Sequence, residues 1–317
     1  MLYFVLLILV LGGAALWVNS ALYAARANTA HPPVGQLVEV NGADVHVLEQ
    51  GLDEGPVVLM IHGASANARE FSWTLAPRLS DSHRVLMMDR PGHGHSERPA
   101  NAHRLEVQAA QAAGVLNALA PGQKAIIVGH SFGGAVSLRL ALDHPDLVDG
   151  LVLLAPVSHD WGGGGEAWYN KYASHPVIGP AFTRLVPVVG PAQVKSGITN
   201  VFSPKPAPAD YFENSGIGLL FRPSNFAANA KDVNALRLEL AAQQARYETI
   251  KVPTVVFSGA LDTVISPPLH VGKLKHQVDG LELVKLGEGG HMPHHAYGAD
   301  VVETIRRLSV PNSGSGS

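Results

Sequence analysis

From Val57 onward, short apolar runs alternate with longer segments whose apolar residues recur every three or four positions. The runs are Val57–Ile61, Arg84–Met88, Ala125–Val128, Leu151–Ala155, Thr254–Ser258 and Leu281–Leu286. They are too short for helices and rich in β-branched residues, so the pattern predicts strands. Little polar alternation interrupts them, which predicts burial on both faces, as in a parallel sheet. Arg69–Leu79, Ala102–Leu119, Phe132–His144, Pro268–Val278 and Asp300–Leu308 have helical composition and spacing, and Pro145 stops the third of these. Strand and helix in alternation define an α/β fold, a doubly wound and mostly parallel sheet covered by helices. Upstream, Gln36–Val40 and Asp44–Glu49 predict a hairpin turning at Asn41-Gly42.

Two stretches depart from this pattern. Leu2–Val18 is uncharged and almost wholly apolar, and the first charge is Arg26. That run is close to the roughly 20 residues of a transmembrane helix, and it lacks the polar face of a surface helix. Residues 1–27 are therefore expected to be a membrane anchor. A cleaved signal peptide, with Ala25-Arg26-Ala27 as the small-x-small site, is the rival. No Lys or Arg precedes the run, and it exceeds the roughly 7–15 residues of a signal core. The second departure is 158–248, rich in proline and aromatic residues, with a helical pattern only over Ala227–Tyr247. It divides the sheet domain into 28–157 and 249–310 and is expected to be an insertion. Residues 311–317 are expected to form a flexible, Gly/Ser-rich tail.

Composition narrows the function. The 317 residues are 46% hydrophobic and 15% charged, enough for a sizeable core. The formal net charge is -3, with no long basic run, so nothing points to nucleic acid. There is no cysteine, which excludes disulfides, thiolate zinc ligands and a cysteine nucleophile.

The chemistry centres on Ile126-Ile127-Val128-Gly129-His130-Ser131-Phe132-Gly133-Gly134, a strand running through Gly-x-Ser-x-Gly into a helix. This context makes the pattern a nucleophile elbow. A sharp turn presents the serine Oγ, and crowding leaves no room for Cβ atoms at Gly129 and Gly133. The Phe132 N–H then faces the carbonyl oxygen under attack. A serine needs a base, and the base an orienting acid. Ligands in such sheets sit at the carboxyl ends of strands, where Asp262 and His291 follow two late strands in Gly-rich loops. Asp160 is the alternative acid, and His294 and His295 compete with His291. His291-x-x-His294-His295 has metal-ligand types without the His-Glu-x-x-His pattern, so neither metal nor cofactor is expected. His62 and His130 are expected to hold loops, and Asp89 and Ser96 to shape a turn.

On these residues the chain resembles the α/β-hydrolase superfamily over Gln36–Leu308, apart from the insertion. The likeness lies in His62-Gly63 and in Asp89-x-x-Gly92-x-Gly94-x-Ser96. It continues in the elbow, in Gly259-x-x-Asp262 and in Gly290-His291. The resemblance implies Ser131, Asp262 and His291 as a cofactor-free triad and 158–248 as a cap. It also implies a second oxyanion donor from the His62-Gly63-Ala64 turn, the N–H of Ala64 before that of Ser65, beside Phe132. A serine nucleophile sets aside the epoxide hydrolase and haloalkane dehalogenase branches, which use Asp. The expectation is a membrane-anchored hydrolase of carboxylic esters with apolar acyl groups. The alternatives are a C–C bond hydrolase, thioesterase, amidase or acyltransferase. A membrane-tethered binding protein without turnover is the alternative of another class.

Overall fold

The computed structural model describes residues 1–164 and 167–310. The expected tail at 311–317 and Gly165 of the glycine run lie outside the described residues. The strands are β1 (Gln36–Val40), β2 (Ala43–Gly51), β3 (Val57–Ile61), β4 (Arg84–Met88), β5 (Ala125–His130), β6 (Val148–Leu154), β7 (Thr254–Gly259) and β8 (Glu282–Leu286). They form one sheet in the order β1-β2-β4-β3-β5-β6-β7-β8. β1 and β2 pair antiparallel, and β2 runs antiparallel to β4; every other pairing is parallel. The β1–β2 hairpin turns at Asn41 (φ 52°) and Gly42 (φ 78°), the two positive φ values that an Asn-Gly turn supplies.

The apolar runs are explained by two cores, one on each face of the sheet. Val57, Leu59 and Ile61 of β3 join one cluster with Ile127, Leu151 and Leu153. Their neighbours Val58 and Met60 join the other, with Ile126, Val128 and Val152. Side chains alternate faces along a strand, so a strand buried on both sides shows no polar phase. β8 is the last strand of the sheet and is only partly buried.

The longer helices are α1 (Leu2–Ala30), α2 (Leu105–Leu119), α3 (Phe132–Asp143), α4 (Val186–Phe202), α5 (Pro223–Gln243) and α6 (Gly298–Leu308). Two differences from the sequence pattern have local causes. The segment expected as one helix over Arg69–Leu79 is two short ones, Arg69–Ser72 and Ala76–Leu79. Pro77 has no N–H to donate and fits only the first turn of the second. The insertion's long helix begins at Pro223 rather than Ala227, again with proline in the first turn. Within the insertion, α4, α5 and the short helices Trp168–Ala173, Gly179–Phe182 and Tyr211–Asn214 lie between β6 and β7 in the chain.

α1 is a single 29-residue helix, long and apolar enough to cross a membrane. Its first half is exposed, and Ser20 and Ala27 are buried, with Leu16, Tyr23 and Ala24 half-buried. These positions recur every three to four residues and so share one face. The helix packs on α4 and on Ile217–Phe221, and Tyr23 donates to the Gly218 carbonyl at 3.1 Å.

The insertion is tied to the sheet domain by a buried ion pair. Arg90 Nη1 lies 2.9 Å from Asp232 Oδ2 of α5, and neither side chain is exposed. Arg98 reaches the other carboxylate oxygen at 2.6 Å. Removing one partner of such a pair leaves a buried charge without compensation. Asp232→Ala should therefore lower unfolding stability by about 3–5 kcal/mol. Exposed Asp279→Ala should change it by less than about 0.5 kcal/mol. Urea unfolding of the full chain in detergent checks both; equal midpoints would contradict the structural role of the pair.

Candidate active site

β5 delivers Ser131 into a strained turn, and α3 begins at the next residue. Ser131 has φ 51° and ψ −114°, a conformation that costs of order 1–3 kcal/mol and persists only when its surroundings enforce it. Here the enforcing contacts are backbone. A Cβ on Gly133 would collide with the Ile61 carbonyl, and one on Gly129 with Ser137 Oγ and the Gly133 carbonyl. Both glycines are required because β3, β5 and the start of α3 meet with no space between them. Phe132 N–H is the first of α3 and belongs to the turn that a helix leaves without internal acceptors.

The loops after β7 and β8 bring Asp262 and His291 together. His291 Nδ1 donates to Asp262 Oδ2 at 2.8 Å, and both side chains are almost fully enclosed. The other carboxylate oxygen accepts Val264 N–H at 2.8 Å and Ile265 N–H at 3.1 Å. One oxygen of Asp262 thus braces its own turn while the other orients the imidazole. With Nδ1–H so engaged, Nε2 is the basic nitrogen, the tautomer that a serine's base requires. Asp160 is engaged elsewhere, accepting Gly162 N–H at 2.8 Å and pairing with Arg237 at 3.3 Å. Ser131, His291 and Ala64 line one cavity of about 720 Å³.

The turn after β3 is held from below and above. Fully buried Arg90 donates to the carbonyls of His62 (3.1 Å) and Gly63 (3.2 Å), and its guanidinium lies 4.1 Å over the Phe132 ring. His62 Nδ1 donates to Gly63 O at 2.8 Å, while its Nε2 accepts Arg90 N–H at 2.9 Å. From α5, Asn229 Oδ1 accepts Ser65 N–H at 2.7 Å. That bond occupies the Ser65 N–H. Asp89 accepts Ala68 N–H and His95 N–H, and Ser96 Oγ donates to the Asp89 carbonyl at 2.7 Å, which fixes the turn after β4.

Two more hydrogen-bonded groups steady this region; His130 was expected to hold a loop, and only the second, at Glu70, was not visible in the chain's local patterns. His130 Nε2 donates to the His291 carbonyl at 2.9 Å, steadying the loop that carries His291. Buried Glu70 accepts from His294 Nε2 (2.9 Å), His295 Nε2 (2.6 Å) and, on its other oxygen, Tyr211 Oη (2.8 Å). This joins the short helix after β3, the loop of His291 and the insertion. The ligand atoms of Glu70, His294 and His295 lie within 4.8 Å of one another, a spacing that also suits a metal ion. The His-x-x-His-His pattern signalled the two histidines; nothing near Glu70 signalled the acid.

This arrangement is that of an α/β-hydrolase, and the chain belongs to that family: the profile of the alpha/beta hydrolase fold matches residues 56–296. The chain is 39% identical to a 2-hydroxymuconate semialdehyde hydrolase of Pseudomonas sp. (strain CF600) over 126 residues, 39% of this chain and 44% of that protein. The match therefore spans less than half of that relative's length. It is 25% identical over 299 residues to the AB hydrolase superfamily protein YfhM of Bacillus subtilis (strain 168), covering 85% of this chain and 96% of that one. Among solved structures, a membrane phospholipase A described as a bacterial virulence factor aligns with a TM-score of 0.70 and 22% identity, over 97% of this chain and 96% of that one. The enol-lactonase of Burkholderia xenovorans LB400 aligns with a TM-score of 0.65 and 22% identity, over 86% and 99%. At such identities the structures share the fold.

Two predictions follow from this geometry. Ser131→Ala should abolish labelling by a fluorophosphonate and lower turnover roughly 10⁴-fold or more. His291→Ala should match it, and Asp262→Asn should fall somewhat less. Near-normal turnover in Asp262→Asn with loss in Asp160→Asn would reverse the choice of acid.

The second concerns pH. Burial holds His62 neutral down to about 3 and His294 down to about 4, and it pushes His130 well below its ordinary value. Below the unfolded value near 6.5 the unfolded chain therefore binds more protons than the folded one, and stability falls as pH falls. Burial would raise Glu70, but the hydrogen bonds of His294 and His295 outweigh it and hold it low, which adds to acid loss below about pH 4. His46 acts oppositely: burial lowers it, its bond to Asp89 outweighs that, and its contribution is lost as pH rises above 6.5. The sum predicts stability lower at pH 5 than at pH 7.5 by at least about 2 kcal/mol, read from urea midpoints. An unchanged or higher midpoint at pH 5 would contradict it.

Proposed function

We propose that this α/β-hydrolase cleaves carboxylic esters of apolar acyl chains, tethered to a membrane by α1, with 158–248 as its cap. Ser131 Oγ attacks the ester carbonyl and gives its proton to His291 Nε2, while Asp262 holds the ring through Nδ1. The N–H groups of Ala64 and Phe132 receive the oxyanion. His291 returns the proton to the departing alkoxide, leaving an acyl-Ser131 ester. Water, deprotonated by the same nitrogen, then releases the acid and restores the serine.

The observation that carries this reading is the lining of the cavity. Ser131 and His291 share it with Phe182, Val186, Val194, Ile198, Val201 and Phe221 of the insertion. Its volume of about 720 Å³ lies within the range of small-molecule sites. Such a wall favours a chain of methylenes over a polar acid, at about 0.8 kcal/mol per methylene removed from water. A second reading, hydrolysis of a compound like 2-hydroxymuconate semialdehyde, is favoured by the 39% identity over 126 residues.

A series of aryl esters of increasing acyl length tests the proposal. Specificity should climb about fourfold per added carbon through medium chains, until the cavity is full. A maximum at acetate with a fall at every further carbon would defeat it. Faster turnover of a ring-cleavage semialdehyde than of any ester in the series would establish the second reading.

A further inference from the structure

We propose that the face of the insertion beside α1 lies in the membrane surface, and that the cavity takes its acyl ester directly from bilayer lipid. The inference rests on the ester reading above and adds the source of the substrate. Three independent features carry it.

The first is length. At 1.5 Å per residue, the 29 residues of α1 span roughly 43 Å, while a hydrocarbon core of about 30 Å takes only about 20 residues. About ten residues at its carboxyl end therefore stand outside the core. The helix face that meets the insertion starts at Leu16 and continues through Ser20, Tyr23 and Ala27. Contact begins in the last turns of the span, so the insertion sits against the bilayer rather than at a distance from it.

The second feature is surface chemistry. Val177 is 78% exposed, and Val188 and Val189 are each 56% exposed; Ile178 and Leu185 between them are also exposed. α1 packs on the turn Thr183–Leu185 and on α4, so this apolar strip adjoins the helix directly. Between Ala167 and Ala209 the chain has no Asp or Glu, but it has Lys171, Arg184, Lys195 and Lys205. Apolar side chains interleaved with cations and free of anions suit a lipid surface with anionic headgroups.

The third feature is the mouth of the cavity. Trp168 (68% exposed), Tyr169 and Val189 are exposed and also line the cavity. The opening is thus rimmed by part of the same apolar strip. A lipid whose acyl chain slides past these residues reaches Ser131 without crossing bulk water.

The absence of cysteine permits a direct test on the full chain in phosphatidylcholine–phosphatidylglycerol vesicles. Single Val177→Cys and Val188→Cys variants carry an environment-sensitive fluorophore. Asp279→Cys, in the turn before β8 and at the far end of that strand from the His291 loop, is the control. Emission at 177 and 188 should shift to the blue and be quenched by spin-labelled lipids, with the control unchanged. A blue shift that lipid-borne quenchers cannot reach would mean burial against a second protein copy and would overturn the proposal. Emission as in water would do the same.

The double variant Val177→Glu/Val188→Glu reads the consequence for substrate. Neither residue lines the cavity. Hydrolysis of vesicle phospholipid should fall roughly tenfold or more, as expected for two charges forced into the interface. Hydrolysis of a soluble aryl butanoate should stay within about twofold of wild type. Equal effects on both substrates, or none on either, would overturn the proposal. Failure of the wild type on every ester would instead defeat the ester reading, and the fluorophore positions would still decide membrane docking.

Discussion

A guanidinium that no water reaches ties this molecule together. Arg90 sits at the end of β4, where burial alone would make a charge very costly. Its donors are met by the carbonyls of His62 and Gly63, by Gln108 of α2 and by Asp232 of α5. It also stacks over Phe132, the residue that follows the serine. One side chain therefore positions the turn that carries Ala64, braces the start of α3 and anchors the insertion's longest helix. Swinging α5 away from the sheet would strip the charge of its carboxylate. α5 is for that reason a fixed wall of the site. Its Asn229 grips Ser65 from the same wall, so the geometry of the turn after β3 depends on the insertion as well as on the core.

The second tie is Glu70. It links Tyr211 of the insertion to His294 and His295 on the loop of His291. Together with the His130 bond to the His291 carbonyl, it leaves that loop little freedom. Each of these bonds ties the loop to a buried group outside it, so the imidazole is held through its backbone as well as through its own bond to Asp262.

What was legible in the sequence followed from local rules. The strands announced themselves as unbroken apolar runs, and the elbow as glycines where two backbones touch. The meeting of Asp262 with His291 was legible because a parallel sheet gathers the residues that follow its strands at one edge. The helix break before Pro77 and the start of α5 at Pro223 were missed by a few residues, since apolar spacing does not register a missing N–H. Arg90 and Glu70 were missed altogether. Arg90 finds its carboxylate 142 residues away, and Glu70 finds its tyrosine 141 residues away. Each stands in a segment where a charge reads as solvent-facing. The contact face of α1 was hidden for the opposite reason: its residues are as small or apolar as their neighbours, so no phase stands out.

The central claim is that Ser131 carries the acyl group between two chemical steps, with the proton moved by His291, the ring held by Asp262 and the pocket supplied by the insertion. Its most direct test is rapid quenching of the enzyme with a medium-chain aryl ester in excess, followed by digestion and mass measurement of the peptide that contains Ser131. The account predicts a transient gain equal to the acyl group on that serine, formed at the rate of the aryl alcohol burst and absent in Ser131→Ala. Full ester turnover with no adduct on Ser131 at any time would contradict it.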